Sequence, residues 1–341
     1  RSFHVTGVQT CALPISLPHL EVEVVDHGAP GVRLHEPVDL DRVRHRRIVP
    51  ACRAKIRAMP SLPRRLANLV RLEHSLFALP YALVGALLAA DGLPPLVDLL
   101  WVGVAMVAAR TLAMGLNRVI DAELDARNPR TANREIPAGL VTTGQVWMLC
   151  AISLAVLVLS TFMLAPVTRW LWPLVVIPFV VYPYLKRFTW LCHLWLGLCI
   201  GLAPVAAYVA IADAVPLGAF WLLGVVGFWI AGFDIIYATM DVAHDRAEGI
   251  HSAPADFGVG RALWLARVLH VASIASMVGV GLWAGLAWPY WIGVAACAAL
   301  LVYEHAIVRE DDLSKVNQAF FNVNVILAGI YLAGVIAALA V

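Results

Sequence analysis

The chain has 341 residues, 61% of them hydrophobic and only 14% charged, with a mean hydropathy of +0.79 and a formal net charge of +2. A soluble domain is roughly 45–50% apolar and about 25% charged, so this surplus of apolar surface has no aqueous core to enter and takes the lipid bilayer as its solvent. No basic stripe follows Arg71 on a soluble face, which excludes nucleic acid as a partner.

Residues 1–58 differ in texture from the rest: Pro-rich, basic at Arg42, Arg44, Arg46 and Arg47, without hydrophobic periodicity, and without methionine before Met59. No apolar stretch of the kind a signal peptide needs follows the basic residues, and positions 1–16 resemble translated adapter sequence. Translation is expected to start at Met59, with residues 59–341 as the working domain and 1–58 as a non-native or disordered leader. Six cysteines are scattered without CxxC or Cys/His spacing, four of them in or beside apolar runs, and read as small buried hydrophobes.

Nine apolar segments follow, over 75–92, 97–120, 143–165, 169–184, 190–212, 216–240, 261–285, 287–307 and 318–340. Each approaches the length of a tilted transmembrane helix, and short alternating strands of the barrel kind are missing, so the expected fold is an all-α integral membrane protein of about nine helices around a central cavity. Trp170, Trp172, Trp190, Trp221, Trp288 and Trp291 fall near segment ends, where aromatic belts sit. The loops after segments 2, 4, 6 and 8 hold ten Lys and Arg, from Arg118 to Lys315, against Arg169 alone in the opposite loops. That bias puts the even-to-odd loops in the cytoplasm, with the plasma (inner) membrane as the location.

Two acidic motifs end segments 2 and 6. The first runs from Asn117 through Asp121 to Asp125, a spacing of four that places three oxygen-bearing side chains on one helical face; Glu123 points away. Like charges at this spacing destabilise a helix, and a hard divalent cation removes the penalty. The second motif repeats the pair as Asp241 and Asp245, with Asp234 deeper in the apolar run, where an ionisable group is a functional candidate. Either cluster alone reads equally as a solvated helix end. Together on one membrane face they form a Mg²⁺ site built from Asn117, Asp121, Asp125, Asp241 and Asp245. Arg130 and Arg134 after the first motif, and Lys186 and Arg187 at the end of segment 4, supply cations for a diphosphate, although positive-inside bias alone also places cations there.

These residues resemble the UbiA superfamily of intramembrane aromatic prenyltransferases. Its N-x3-D-x3-D element matches Asn117, Asp121 and Asp125; its R-[ST]-x2-R-x4-G element matches Arg130, Thr131, Arg134 and Gly139. Its second D-x3-D matches Asp241 and Asp245, and its YPxxKRxT stretch matches Tyr182, Pro183, Lys186, Arg187 and Thr189. The resemblance implies Mg²⁺-dependent transfer of a polyprenyl group from its diphosphate to an aromatic acid, 4-hydroxybenzoate in respiratory quinone synthesis, without an obligate protein partner. Asp234 and Asp241 are the catalytic candidates, Asp234 as proton acceptor; Arg110 and Arg71, with Arg187, are candidates for the acceptor carboxylate. Arg110, seven residues before Asn117, is favoured because it shares that residue's face and sits deeper. His74, His193, His244 and His251 show no ligand spacing and read as interfacial or structural. Asn128 departs from the aliphatic residue usual at its position and resembles a branch that includes prenylation of 1,4-dihydroxy-6-naphthoate, which stays open as the alternative acceptor. Menaquinone, haem-side-chain and chlorophyll-type prenyl transfer share the same motifs. A cation-coupled transporter is the reading from another class; its carboxylates would be expected at the membrane midplane.

Overall fold

The computed structural model describes residues 61–70, 75–313, 316 and 323–341; residues 1–58, Arg71, His74 and Lys315 lie outside the described residues. Every regular element among the described residues is helical. In chain order they are α1 (Leu62–Leu69), α2 (Ser75–Ala90), α3 (Leu96–Ile120), α4 (Ala122–Arg127), α5 (Thr143–Met163), α6 (Thr168–Leu185) and α7 (Cys192–Ala212). Then come α8 (Phe220–Ala238), α9 (Val242–Glu248), α10 (Ala253–Phe257), α11 (Val259–Trp283), α12 (Trp288–Ile307) and α13 (Asn324–Leu339). Each apolar segment of the sequence contains one long helix. Among the described residues, six stretches are long and apolar enough to cross a bilayer unaided: α3, α5, α7, the run Leu217–Glu248 containing α8, α11 and α12. The other three fall short of that standard: α2 and α13 are shorter, and α6 holds Pro173, Pro178 and Pro183.

Local chemistry sets the boundaries. Thr142 begins α5 with a capping box, its hydroxyl accepting from Gln145 N–H (3.3 Å) while the Gln145 side chain accepts from Thr142 N–H (3.0 Å). Ser252 caps α10, and Gly249 ends α9 at a φ of 66°, a left-handed position that glycine occupies without a Cβ clash.

Helix α8 is central, flanked by α7 and α11, while α2, α3, α5, α6, α12 and α13 complete the bundle through the pairs α2–α7, α3–α5, α3–α6, α12–α13 and α13–α2. Between lipid-solvated helices there is little hydrophobic drive to associate, so close backbone contact and hydrogen bonds must hold them. A Cβ at Gly197 of α7 would run into the carbonyl of Gly227 on α8, and one at Gly85 of α2 into the backbone of Pro204, also on α7. The core adds polar ties: Trp229 Nε1 donates to Asn324 Oδ1 (2.8 Å), Ser273 Oγ to the Val225 carbonyl (2.6 Å) and Tyr290 OH to the Met277 carbonyl (2.6 Å). The outward faces are apolar at helical spacing, with Leu100, Val104 and Val107 exposed on α3 and Trp264, Val268 and Val271 on α11. Those stripes are the lipid-facing surface of a multi-pass membrane protein.

Replacing Gly197 by Leu is expected to push α7 from α8 and cost roughly 1–3 kcal/mol, lowering the thermal unfolding midpoint of the detergent-purified protein. Gly103→Ala, where nothing stands within 4 Å of the added methyl, is expected to leave that midpoint unchanged.

Candidate active site

Both acidic motifs break their helices at the same point. Helix α3 ends at Ile120, Asp121 takes φ −94° and ψ 4°, and α4 follows; α8 ends at Ala238, a 3₁₀ turn covers Thr239–Asp241, and Asp241 takes φ −108° and ψ 4° before α9. Across the first break the backbone bonds Asp121 N–H to Asn117 O (3.0 Å) and Asp125 N–H to Asp121 O (2.8 Å) preserve the helical register. Asn117, Asp121 and Asp125 therefore remain on one face, as their spacing requires.

These motifs line a cavity of about 230 Å³ at one end of the bundle, together with the ends of α6 and α7 and the turn at 250–252. Nine residues expected at the site line it: Asn117, Asp121, Asp125, Arg130, Arg134, Lys186, Asp234, Asp241 and Asp245. A larger groove of about 670 Å³ between α7, α8 and α11 is walled by Leu194, Leu198, Trp221 and Phe228 and holds no ionisable side chain.

On the first wall, Asp121 is 1% exposed. Its Oδ2 accepts from Lys186 Nζ (2.6 Å) and Asn117 Nδ2 (3.0 Å), and its Oδ1 is buried without a hydrogen-bond partner, the Arg187 guanidinium standing 3.7 Å away. Burial holds the Asp121 carboxyl above the usual carboxylate range, with the Lys186 ammonium pulling the other way. Arg187 also donates to the Ile120 carbonyl (2.9 Å), satisfying the carboxyl end of α3. Asp125 receives Arg134 NH1 on both oxygens (2.6 and 2.7 Å), with Arg118 NH1 at 3.9 Å.

On the second wall, Arg130 grips Asp241 through Nε (2.9 Å to Oδ1) and NH2 (to Oδ2), and its NH1 donates to the Tyr237 hydroxyl (3.2 Å). Asn128, the residue that departs from the usual pattern, donates to Asp241 Oδ1 (3.3 Å) and accepts from Arg130 N–H (2.9 Å). Asp245 accepts from the Ser252 hydroxyl (2.8 Å). Deeper, Asp234 Oδ2 is 2.6 Å from His193 Nδ1.

The acceptor-side expectation fares differently. Arg110 is not among the lining residues; it lies two turns before Asn117, roughly 10 Å deeper along the helix axis, as its place in the sequence leads one to expect. Arg187 touches Asp121 without lining the cavity, and Arg71 lies outside the described residues. Three histidines read as interfacial or structural, His193, His244 and His251, line the cavity. No sequence signal marks His193, whose carboxylate partner is 41 residues away.

All the metal-ligand candidates offer oxygen, the donor a hard cation such as Mg²⁺ prefers. Among the described residues no three His, Cys, Asp or Glu side chains cluster tightly enough to hold a metal on protein ligands alone. Carboxylates on two walls of one cavity, one with a buried unpartnered oxygen, suit Mg²⁺ that completes its shell with water and phosphate oxygens.

The chain is 29% identical over 257 residues to the 4-hydroxybenzoate octaprenyltransferase of Cupriavidus necator, covering 74% of this chain and 90% of the relative. It is also 29% identical over 259 residues to the protein of that name from Burkholderia pseudomallei, covering 73% and 86%. Among solved structures, the apo UbiA homolog from Aeropyrum pernix superposes with a TM-score of 0.71 at 32% identity, covering 78% of this chain and 98% of that one. The UbiA homolog from Archaeoglobus fulgidus bound to GPP and Mg²⁺ shares the fold, with a TM-score of 0.62 at 18% identity, covering 81% and 100%. Residues 78–326, most of the chain and all of the cavity, match the UbiA prenyltransferase family, and the chain belongs to that family.

Proposed function

We propose that the protein transfers a polyprenyl group from its diphosphate to an aromatic acid in respiratory quinone synthesis, using the cavity between the two acidic motifs. The observation that carries this reading is that Asp121, Asp125, Asp241 and Asp245 share one 230 Å³ cavity with Arg130, Arg134 and Lys186. A transporter's carboxylates would gather at midplane instead.

Asn117, Asp121, Asp125, Asp241 and Asp245 would hold Mg²⁺, which when bound supplies positive charge against the leaving diphosphate. Arg130, Arg134 and Lys186 bind and orient the diphosphate, Arg130 and Arg134 offering planar donor sets and Lys186 a point charge. Arg187 acts behind them, on Asp121 and the end of α3. The apolar bundle keeps water from the allylic carbon as its bond to the diphosphate oxygen breaks. A ring carbon of the acceptor forms the new bond, and Asp234 receives the proton released as aromaticity returns. For the acceptor we favour 4-hydroxybenzoate, the substrate in the relatives' names, over 1,4-dihydroxy-6-naphthoate. We place the protein in the plasma membrane with the cavity facing the cytoplasm, where the basic loops lie.

Purified protein given radiolabelled prenyl diphosphate, Mg²⁺ and each acceptor in turn is expected to form the prenylated product with 4-hydroxybenzoate, and none after chelation. Asp121→Ala and Asp241→Ala are each expected to lower kcat/KM by about 100-fold or more. Turnover that survives both variants or chelation would sink the reading; product with the naphthoate alone would change the acceptor and keep the chemistry.

The Asp121–Lys186 pair gives a stability prediction of its own. Lys186→Met leaves a carboxylate 1% exposed without its main cation and is expected to destabilise the protein by roughly 3 kcal/mol, read as a lower thermal midpoint. Combining it with Asp121→Asn is expected to restore most of that stability while activity stays lost.

A further inference from the structure

His193, the second residue of α7, has only 3% of its surface exposed and both ring nitrogens engaged. Nε2 lies 3.1 Å from the backbone nitrogen of Ala253, and Nδ1 lies 2.6 Å from Asp234 Oδ2. A peptide N–H can only donate, so Nε2 must present its lone pair and the ring proton sits on Nδ1, directed at the carboxylate. The chain thereby dictates the tautomer. Ala253 follows Ser252, whose hydroxyl donates to Asp245 Oδ2 (2.8 Å) and accepts from Ala255 N–H (3.4 Å) at the start of α10. The 252–253 backbone thus joins two sets of hydrogen bonds, one to Asp245 and one through the His193 ring to Asp234.

The arrangement holds one oxygen of Asp234 and leaves the other to the cavity. Oδ2 is occupied by the imidazole N–H, whereas Oδ1 makes no hydrogen bond among the described residues, and the Asp234 side chain, 25% exposed, lines the cavity. His193 itself cannot take the acceptor's proton, because its one available lone pair is committed to Ala253.

We infer that His193 is a positioning residue, which locks the rotamer of Asp234 and presents Oδ1 to the aromatic acceptor by tying the carboxylate to the 252–253 turn. The inference rests on the assignment of Asp234 as proton acceptor made above.

The two arms of the ring can be separated by substitution. His193→Phe keeps a ring and removes both bonds. His193→Asn can place an amide N–H where Nδ1 was, preserving the bond to Asp234 alone. His193→Gln can place a carbonyl where Nε2 was, preserving the bond to Ala253 alone. In steady-state assays of the full-length enzyme with Mg²⁺, His193→Phe is expected to lower kcat about tenfold or more while the KM values for prenyl diphosphate and acceptor stay unchanged. His193→Asn is expected to recover most of the loss, and His193→Gln none of it. In an Asp234→Asn background, His193→Phe is expected to cost nothing further, the signature of a residue acting through its neighbour.

Additive losses, equal recovery by the Asn and Gln variants, or a rise in both KM values in step with a lower thermal midpoint would overturn the inference. An unimpaired Asp234→Asn enzyme would overturn both this inference and the assignment of Asp234. An impaired Asp234→Asn enzyme beside an unimpaired His193→Phe enzyme would overturn the role of His193 alone. Should His193→Phe fail to fold, the Asn and Gln variants decide by the same contrast.

Discussion

The structure depends on one electrostatic requirement: carboxylates gathered at the end of an apolar bundle must be neutralised where they stand. Asp121, Asp125 and Asp245 are 1%, 6% and 8% exposed, and an uncompensated charge so buried costs several kcal/mol. The compensation comes from Lys186, Arg134 and the Ser252 hydroxyl, while Arg130 serves Asp241. Because those groups come from other elements, each contact is also a tie. Lys186 binds the end of α6 to the end of α3, and Arg130 binds the segment after α4 to the turn between α8 and α9. Architecture and charge at this end of the bundle are one set of interactions.

The same requirement constrains any anionic ligand. A diphosphate drawing Arg130, Arg134 and Lys186 to its own oxygens would strip counter-charge from Asp241, Asp125 and Asp121, which is unfavourable in a water-poor cavity. A divalent cation bound with the diphosphate would remove the conflict, since it would neutralise the carboxylates and free the guanidinium and ammonium groups for phosphate. Under the proposed function, the acidic rows and the basic residues would then be two halves of one exchange, with a metal taking over the neutralisation that the site's own side chains otherwise supply.

The parts of this site legible in the sequence are those whose geometry is local. The i, i+4 carboxylates project to one face because helical register survives the break at Asp121, and the apolar runs read as helices because lipid demands apolar length. What was illegible depends on tertiary proximity. Nothing near Arg130 announces Asp241, 111 residues on, and nothing near His193 announces Asp234. The short helices α9 and α10 were unreadable as elements because seven and five residues carry too little periodicity to stand out in a polar loop.

The two motifs also share an order of satisfaction that their spacing alone does not contain. In each, the first aspartate sits in the bridge region between a long helix and a short one and takes its cation from elsewhere: Asp121 from Lys186, 65 residues on, and Asp241 from Arg130, 111 residues back. The second is satisfied from its own downstream turn, Asp125 by Arg134 nine residues on and Asp245 by Ser252 seven residues on. A locally held aspartate keeps its place whenever its own segment folds, whereas one held from a distance is placed only once the element that supplies its cation has docked. The first aspartate of each pair therefore reports the docking of a second element, α6 for Asp121 and the segment after α4 for Asp241.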